Sequence, residues 1–274
     1  MDAALPVPLS AAAIAAGLHA ASDVAIEVVA ETGSTNADLM ARAASGQLHG
    51  PVLRIAEHQS AGRGRAGRSW LSSPGHSLTF SLAWHFAGPA RRLAGLPLAV
   101  GVAVADALGA LAVPVQLKWP NDIYKDGAKL AGILIESSND SAGGGGGAWT
   151  VIGIGLNLVM PEQLEAQIGR DAAAAPWLAR MDRNVLMAAL TDAIAATLLR
   201  FDAQGFAPFA ARWNLLHAWT GRHVRIVDQG AVLQQGVAAG VDDTGRLLLD
   251  TDQGRVAISA GDVSLRLGQD GAGA

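Results

Sequence analysis

The chain has 274 residues, half of them apolar, a net charge of −4 and no cysteine. That size supplies one large buried core, or a core with a small second domain, and the mild acidity excludes nucleic-acid binding driven by overall charge. The lack of cysteine excludes disulfides, thiol catalysis and thiolate-ligated metals.

The first residues, Met1-Asp2-Ala3-Ala4-Leu5-Pro6, lack the cationic start of a secretory signal, so a cytoplasmic protein is expected. Residues 1–22 are Ala-rich and predict one peripheral helix. The stretch "VAIEVVAETGSTNADLMARAASG" reads as a strand to Ala30, a turn and a helix, with Thr35 and Asp38 as the capping pair and Gly46 as the stop. "PVLRIAEH" is a buried strand that runs straight into "QSAGRGRAGRSW". Next, "HSLTFSLAWHF" alternates, with Leu78, Phe80, Leu82 and Trp84 on one face. Leu93–Leu117 carries one charge, Asp106, but Pro97 and Pro114 interrupt it, so it predicts a buried helix over roughly residues 94–111 rather than a membrane span.

Three strands follow: "PVQLKWP", "KLAGILIES" and "AWTVIGIGLNLV", the last two joined by a hairpin tip at "SNDSAGGGGG". "MDRNVLMAALTDAIAATLLRFDAQG" is a helix with Asp182 as cap, Gly205 as stop and a stripe through Leu186, Leu190, Ala193, Ile194, Thr197, Leu198 and Phe201. From about Thr220, short apolar runs at 222–228, 231–241, 246–250, 255–258 and 263–267 alternate with Gly/Asp turns, which predicts a small all-β unit. The expected division is 1–215, with 1–22 peripheral, and 216–274.

Four strings carry chemistry. In Gly62–Arg68, three glycines let backbone amides approach a ligand, and Arg63, Arg65 and Arg68 offer forked donors to phosphate or carboxylate. Neither a P-loop nor a dinucleotide fingerprint fits it, and a solvated basic loop is the alternative. "LKWPND" closes a strand with Lys118, Asn121 and Asp122 at its end, which suits either a site or a simple turn. Lys129 heads "KLAGILIE", whose Gly132 marks close backbone approach. In "GIGLNL", Gly153, Gly155 and Asn157 share one strand face. His58, His76 and His85 have no metal-ligand spacing, so no metal site is expected from the protein's own side chains.

In this order, "ETGSTN", "GRGRAGRSW", "KWPND", "KLAGILIE" and "GIGLNL" resemble the motif set of biotin protein ligases, over about residues 28–268. The resemblance implies an α+β fold: a mixed β-sheet core flanked by helices, similar to class II aminoacyl-tRNA synthetases, with a small C-terminal SH3-like β-barrel. It implies ATP-dependent formation of biotinyl-5′-AMP and transfer of biotin to a lysine of a biotin carboxyl carrier protein, with magnesium accompanying ATP. By similarity, Ser34, Thr35, Asn36 and Gln59 meet the ureido ring, with the backbone at Gly62 and Gly64. Arg63 lies by the biotin carboxylate, Gly132, Gly153 and Gly155 form a flat wall, and Trp70 closes the lid. Arg65, Arg68, Lys118 and Asn121 face the adenylate, Lys129 bridges carboxylate and phosphate, and Asn157 and Trp177 reach the nucleoside. Asp122 orients or deprotonates the acceptor lysine. Because "ETGSTN" begins at residue 31, no N-terminal DNA-binding unit is expected, and neither DNA nor membrane is expected as a partner; a monomer or homodimer fits. The alternatives are a lipoate or octanoate transferase on a related core and a nucleic-acid-binding protein using the Arg/Gly loop. A dithiolane offers the polar "GSTN" residues no hydrogen bonds, and the loop lacks interleaved aromatics.

Overall fold

The structure is a computed structural model and describes residues 7–88, 90–139, 147–161, 166, 172–261 and 263–268. Its frame is a seven-stranded mixed sheet in the order β1-β2-β3-β7-β6-β5-β4. The strands are β1 (Ala25–Thr32), β2 (Val52–Gln59), β3 (Ser77–Phe86), β4 (Gln116–Lys118), β5 (Asp122–Lys125), β6 (Ala128–Asn139) and β7 (Ala148–Asn157). Only β1 and β2 run parallel; every other pair is antiparallel.

Two faces of this sheet have different fates. Leu53, Ile55, Leu78, Phe80 and Leu82 join the main core with three helices, α3 (Leu96–Ala110), α4 (Arg183–Gln204) and α5 (Ala207–Leu216). On the other face, α2 (Thr35–Ala44) packs over a small cluster of Leu39, Leu48, Val52, Ala83 and Val151. Beyond that cluster this face carries Thr79 and Ser81 on β3, Gly153 and Gly155 on β7, and Gly132 on β6, all adjacent in register. Strand β3 is therefore buried on both sides, and the polar half of its alternation faces a site rather than solvent.

Several expectations change. The N-terminal helix is short, α1 (Ala11–Ala16), because Gly17 closes it and the Asp192 carboxylate then takes the N–H groups of His19, Ala20 and Ala21. Ser34, not Thr35, caps α2, and Asp38 instead accepts from Thr32 Oγ1 and pairs with Arg54. The segment after Trp119-Pro120 is not a simple turn: Asp122 opens β5 and is the register partner of Lys118, so four strands stand where three were expected. The hairpin tip at 140–146 lies outside the described residues.

The string "DRN" holds the start of the chain to the sheet. Asp182 caps α4, Arg183 pairs with Glu57 at 2.7 Å and donates to the carbonyl of Val7, and Asn184 binds Ser10 and Pro8. Of the described helices, only α4 is long and apolar enough to cross a membrane, and more than half of its apolar window is buried in the core.

The C-terminal run folds as β8 (His223–Asp228), β9 (Ala231–Val241), β10 (Leu247–Thr251), β11 (Gly254–Ile258) and β12 (Ser264–Leu267), in the order β11-β10-β9-β8-β12. All five expected strands are present, but the barrel is not closed. β12 returns along β8 while β11 pairs with β10, so β11 and β12 end at opposite edges with no ladder between them among the described residues. This open sheet is tied to the first by Trp119 Nε1, which donates to the Gly245 carbonyl, and by Asn214, which bonds both backbone groups of Val241.

Candidate functional site

The Gly/Arg string leaves β2 and folds back on itself. The N–H of Trp70 donates to the carbonyl of Gly62 at 2.9 Å, and Arg63 bridges Ser69. At Gly62 only a glycine fits, since a Cβ there would sit 2.3 Å from the Trp70 carbonyl oxygen. The hairpin crosses the polar sheet face and lays the Trp70 indole on Gly155, where a Cβ would lie 2.1 Å from the ring. Gly153 is covered in the same way by the Asn36 amide. The glycine row thus clears room for two side chains of the protein, which form the wall in its place.

Beneath the hairpin is a small pocket lined by Ser34, Thr35, Asn36, Gln59, Arg63, Gly64, Trp70, Gly132, Gly153 and Gly155. Every residue assigned to biotin on similarity lines it except Gly62, which lies behind Trp70 as a hinge of the hairpin. Its polar side is one connected chain. The backbone N–H of Thr35 donates to Gln59 Oε1 at 2.8 Å, and Thr35 Oγ1 lies 2.7 Å from Ser81 Oγ and 3.1 Å from the same Gln59 oxygen. Ser81 donates to Asn36 Oδ1 at 2.6 Å, Asn36 Nδ2 donates to Glu136 Oε2 at 2.9 Å, and Arg63 donates to Glu136 Oε1 at 3.0 Å. Sequence reasoning missed Ser81 and Glu136. Ser81 sits on the polar half of an alternating strand, and Glu136 shares a face of β6 with Gly132 at period two, which was the available signal.

A second, wider cleft of about 1120 Å³ adjoins the first and shares Gly64, Arg65, Trp70, Asn121 and Lys129 with it. Its walls come from the hairpin, from the β4–β5 turn with its cis Trp119–Pro120 bond, and from Val263 to Arg266 of the C-terminal sheet. Lys118 is buried there, its ammonium 4.6 Å from the centre of the Trp219 ring and 5.2 Å from that of Tyr124. Asp122 holds Lys129 at 2.5 Å and Lys118 at 3.8 Å. Arg65 donates to Asn121 Oδ1 at 2.9 Å and to the Gly261 carbonyl, so the hairpin touches both sheets. Arg68 lines the same cleft.

Two of the expected nucleoside residues are elsewhere. Asn157 is buried, but it donates to the Ala173 carbonyl and accepts from the N–H of Ala175, which fastens residues 173–175 to the end of β7. Trp177 follows that segment and is 60 % exposed, outside both cavities. The same segment bridges β6 at Lys129 through Ala172.

These residues do not fit a protein-held metal. Among the described residues no group of three His, Asp or Glu side chains converges, and Asp122 and Glu136 are already engaged by cations and amides.

Residues 28–157 match the biotin/lipoate A/B protein ligase family, and residues 220–266 match the biotin protein ligase C-terminal domain. The biotin–[acetyl-CoA-carboxylase] ligase of Mycobacterium tuberculosis is 38% identical over 245 residues, covering 87% of this chain and 88% of that one. The chain belongs to the biotin protein ligase family. The bifunctional ligase/repressor BirA of Escherichia coli is 36% identical over 241 residues, 85% of this chain and 71% of that protein. Among solved structures, the biotin protein ligase from Aquifex aeolicus in complex with biotin and ATP superposes with a TM-score of 0.74 at 27% identity, over 89% of this ligase and 99% of that chain. The motif strings of the ligase thus converge on two adjoining cavities, although they are spread over more than a hundred residues of sequence.

Proposed function

We propose how this ATP-dependent biotin ligase divides its chemistry between the two cavities. Biotin occupies the hydrogen-bonded pocket, its ureido ring against Ser34, Thr35, Asn36 and Gln59, and its carboxylate points to Arg63 and Lys129. ATP lies in the wider cleft among Arg65, Arg68, Lys118 and Asn121. The single observation that carries this reading is that the cavities meet at Arg65, Asn121 and Lys129, where a carboxylate and an α-phosphate must be brought together.

A carboxylate oxygen of biotin attacks the α-phosphorus, the α–β phosphoanhydride breaks, and pyrophosphate leaves with the bonding electrons. Two anions approach one another in this step, so fixed cations contribute more than an acid–base pair. Lys129 and Arg65 supply them. Asp122 aims Lys129 through their 2.5 Å ion pair, and when the phosphate draws Lys129 away, that carboxylate is free to accept a proton from the acceptor lysine. The lysine amine then attacks the acyl carbon, and AMP leaves. The closed hairpin keeps water from the mixed anhydride in between.

The acceptor is the lysine of a biotin carboxyl carrier protein, reached from the solvent side of the wider cleft. We place the domain boundary at residues 215/216, and the ligase acts in the cytoplasm without contacting DNA. Biotin-dependent release of pyrophosphate from ATP tests the reading: biotin should support release and lipoate should neither support nor inhibit it. Equal release with lipoate would overturn the ureido assignment, because a dithiolane leaves the Thr35 and Gln59 groups unmatched.

A further inference from the structure

Glu136 lies at the far end of the polar chain and touches no position expected for the reacting atoms. It shares one face of β6 with Gly132 and Leu134, and its side chain is 23 % exposed. One carboxylate oxygen takes the Asn36 amide and the other takes the Arg63 guanidinium. A carboxylate only accepts, and that decides every hydrogen bond behind it.

Because Glu136 accepts, Asn36 must turn its NH₂ toward it and its oxygen toward Ser81. An amide oxygen cannot donate, so the single Ser81 proton is committed to Asn36 at 2.6 Å. At the 2.7 Å contact with Thr35, Ser81 is left only as acceptor, and Thr35 donates. Thr35 is 2 % exposed and lines the cavity, and its Oγ1 also lies 3.1 Å from Gln59 Oε1, a second acceptor for the same proton; with the Ser81 proton committed to Asn36, the shorter Ser81 contact takes it, inward and away from the ligand. Toward the ligand it offers a lone pair. A cyclic urea, whose ring N–H groups only donate, matches that polarity.

We infer that Glu136 is a positioning residue that sets the donor–acceptor polarity of the biotin pocket through Asn36, Ser81 and Thr35, and in the same act latches Arg63 of the lid. The inference rests on Thr35 facing the ureido ring, as proposed above. Glu136→Gln tests it without changing shape. The guanidinium of Arg63, always cationic, takes the new amide oxygen, and the new NH₂ turns to Asn36. The Asn36 amide then flips, Ser81 accepts from it and donates to Thr35, and the Thr35 proton is pushed toward Gln59 and the ligand.

E136Q should raise KM for biotin about tenfold while KM for ATP and the melting temperature stay unchanged. It should also lower, by about tenfold, the preference for biotin over an analogue in which one ureido N–H, each in turn, is replaced by oxygen. A role in packing alone would weaken biotin and analogue equally and leave the preference intact, and that result would overturn the inference. If E136Q does not fold, E136A serves in its place: freeing the Asn36 amide should shrink the same preference, and an unchanged preference would again overturn the inference. Thr35→Val separates the two levels. A loss of biotin affinity in T35V with no change of preference in E136Q defeats the Glu136 relay alone, whereas unchanged biotin affinity in T35V overturns the pocket assignment and the relay with it.

Discussion

The two cavities are built by different rules. The smaller one is lined by α2, β2, β3, β6 and β7 and by the hairpin across them, so its polar chain is ordered by the packing of a single sheet. The larger one is shared by the hairpin, the β4–β5 turn and the C-terminal sheet, and cations dominate it. A neutral ring is recognised by directed hydrogen bonds that a rigid sheet can hold. A polyanion is recognised by charge, which tolerates walls drawn from separate elements. The difference predicts that damage to each region reads out on a different substrate.

The largest effect is expected at the junction. Lys129→Ala should cut biotin-dependent pyrophosphate release by about 10²–10³-fold in kcat, the loss typical of a fixed charge aimed at a developing one, with circular dichroism unchanged. Release at the normal rate would remove Lys129 from the chemistry. A lesser effect belongs to the seam between the sheets. His217 stacks on Trp213, sits beside Leu117 of β4, and is buried, and burial lowers its pKa from 6.5 to about 4. The unfolded chain therefore binds a proton that the folded one refuses. The contribution to stability is complete above pH 6.5 and is lost as pH falls toward 4, amounting to about 3 kcal/mol at the lower limit. Chemical denaturation across that range should show the slope, and His217→Phe should flatten it. Trp219 and Lys118 adjoin this seam, so KM for ATP should rise on acidification before KM for biotin does.

The smallest effect is confined to the neutral pocket. In Gly155→Ala the new Cβ would lie 2.1 Å from the Trp70 indole, so the ring must lift. Overpacking of this kind costs about 1–3 kcal/mol, and it should appear as a rise of about tenfold in KM for biotin with a smaller rise in KM for ATP, because Trp70 borders both cavities. If both constants rose equally, the cavities would not be separable as described.

Much of this site was legible from residue order. "GRGRAGRSW" announced a glycine-rich cationic loop, "KWPND" placed Lys118, Asn121 and Asp122 at a strand's end, "KLAG" placed Lys129 at a strand's start, and the five C-terminal runs were read within a residue or two of their strands. What failed did so because pattern reports burial along one element and not across several. The alternation of β3 pointed Ser81 at solvent, yet α2 and the hairpin cover that side. Asn157 shared a face with the pocket glycines, but the Ala173 carbonyl takes its side-chain amide first. Trp177 had the chemistry to stack on a base, but it stands exposed outside both cavities.

The order of the motifs, through its resemblance to the biotin protein ligases, determined the class of fold and the reaction, while charge, glycine spacing and periodicity by themselves marked an anion-seeking loop and the strands around it, because any strand or loop expresses those locally. Only the tertiary structure decided that the glycine row admits Trp70 and Asn36, that the C-terminal sheet stays open, and that Glu136 governs a chain of four polar groups ending at Thr35. A hydrogen bond has a direction, and that direction is set by whichever partner cannot donate. In this ligase that partner is Glu136, which lies one hundred residues from the Asn36 whose amide it turns.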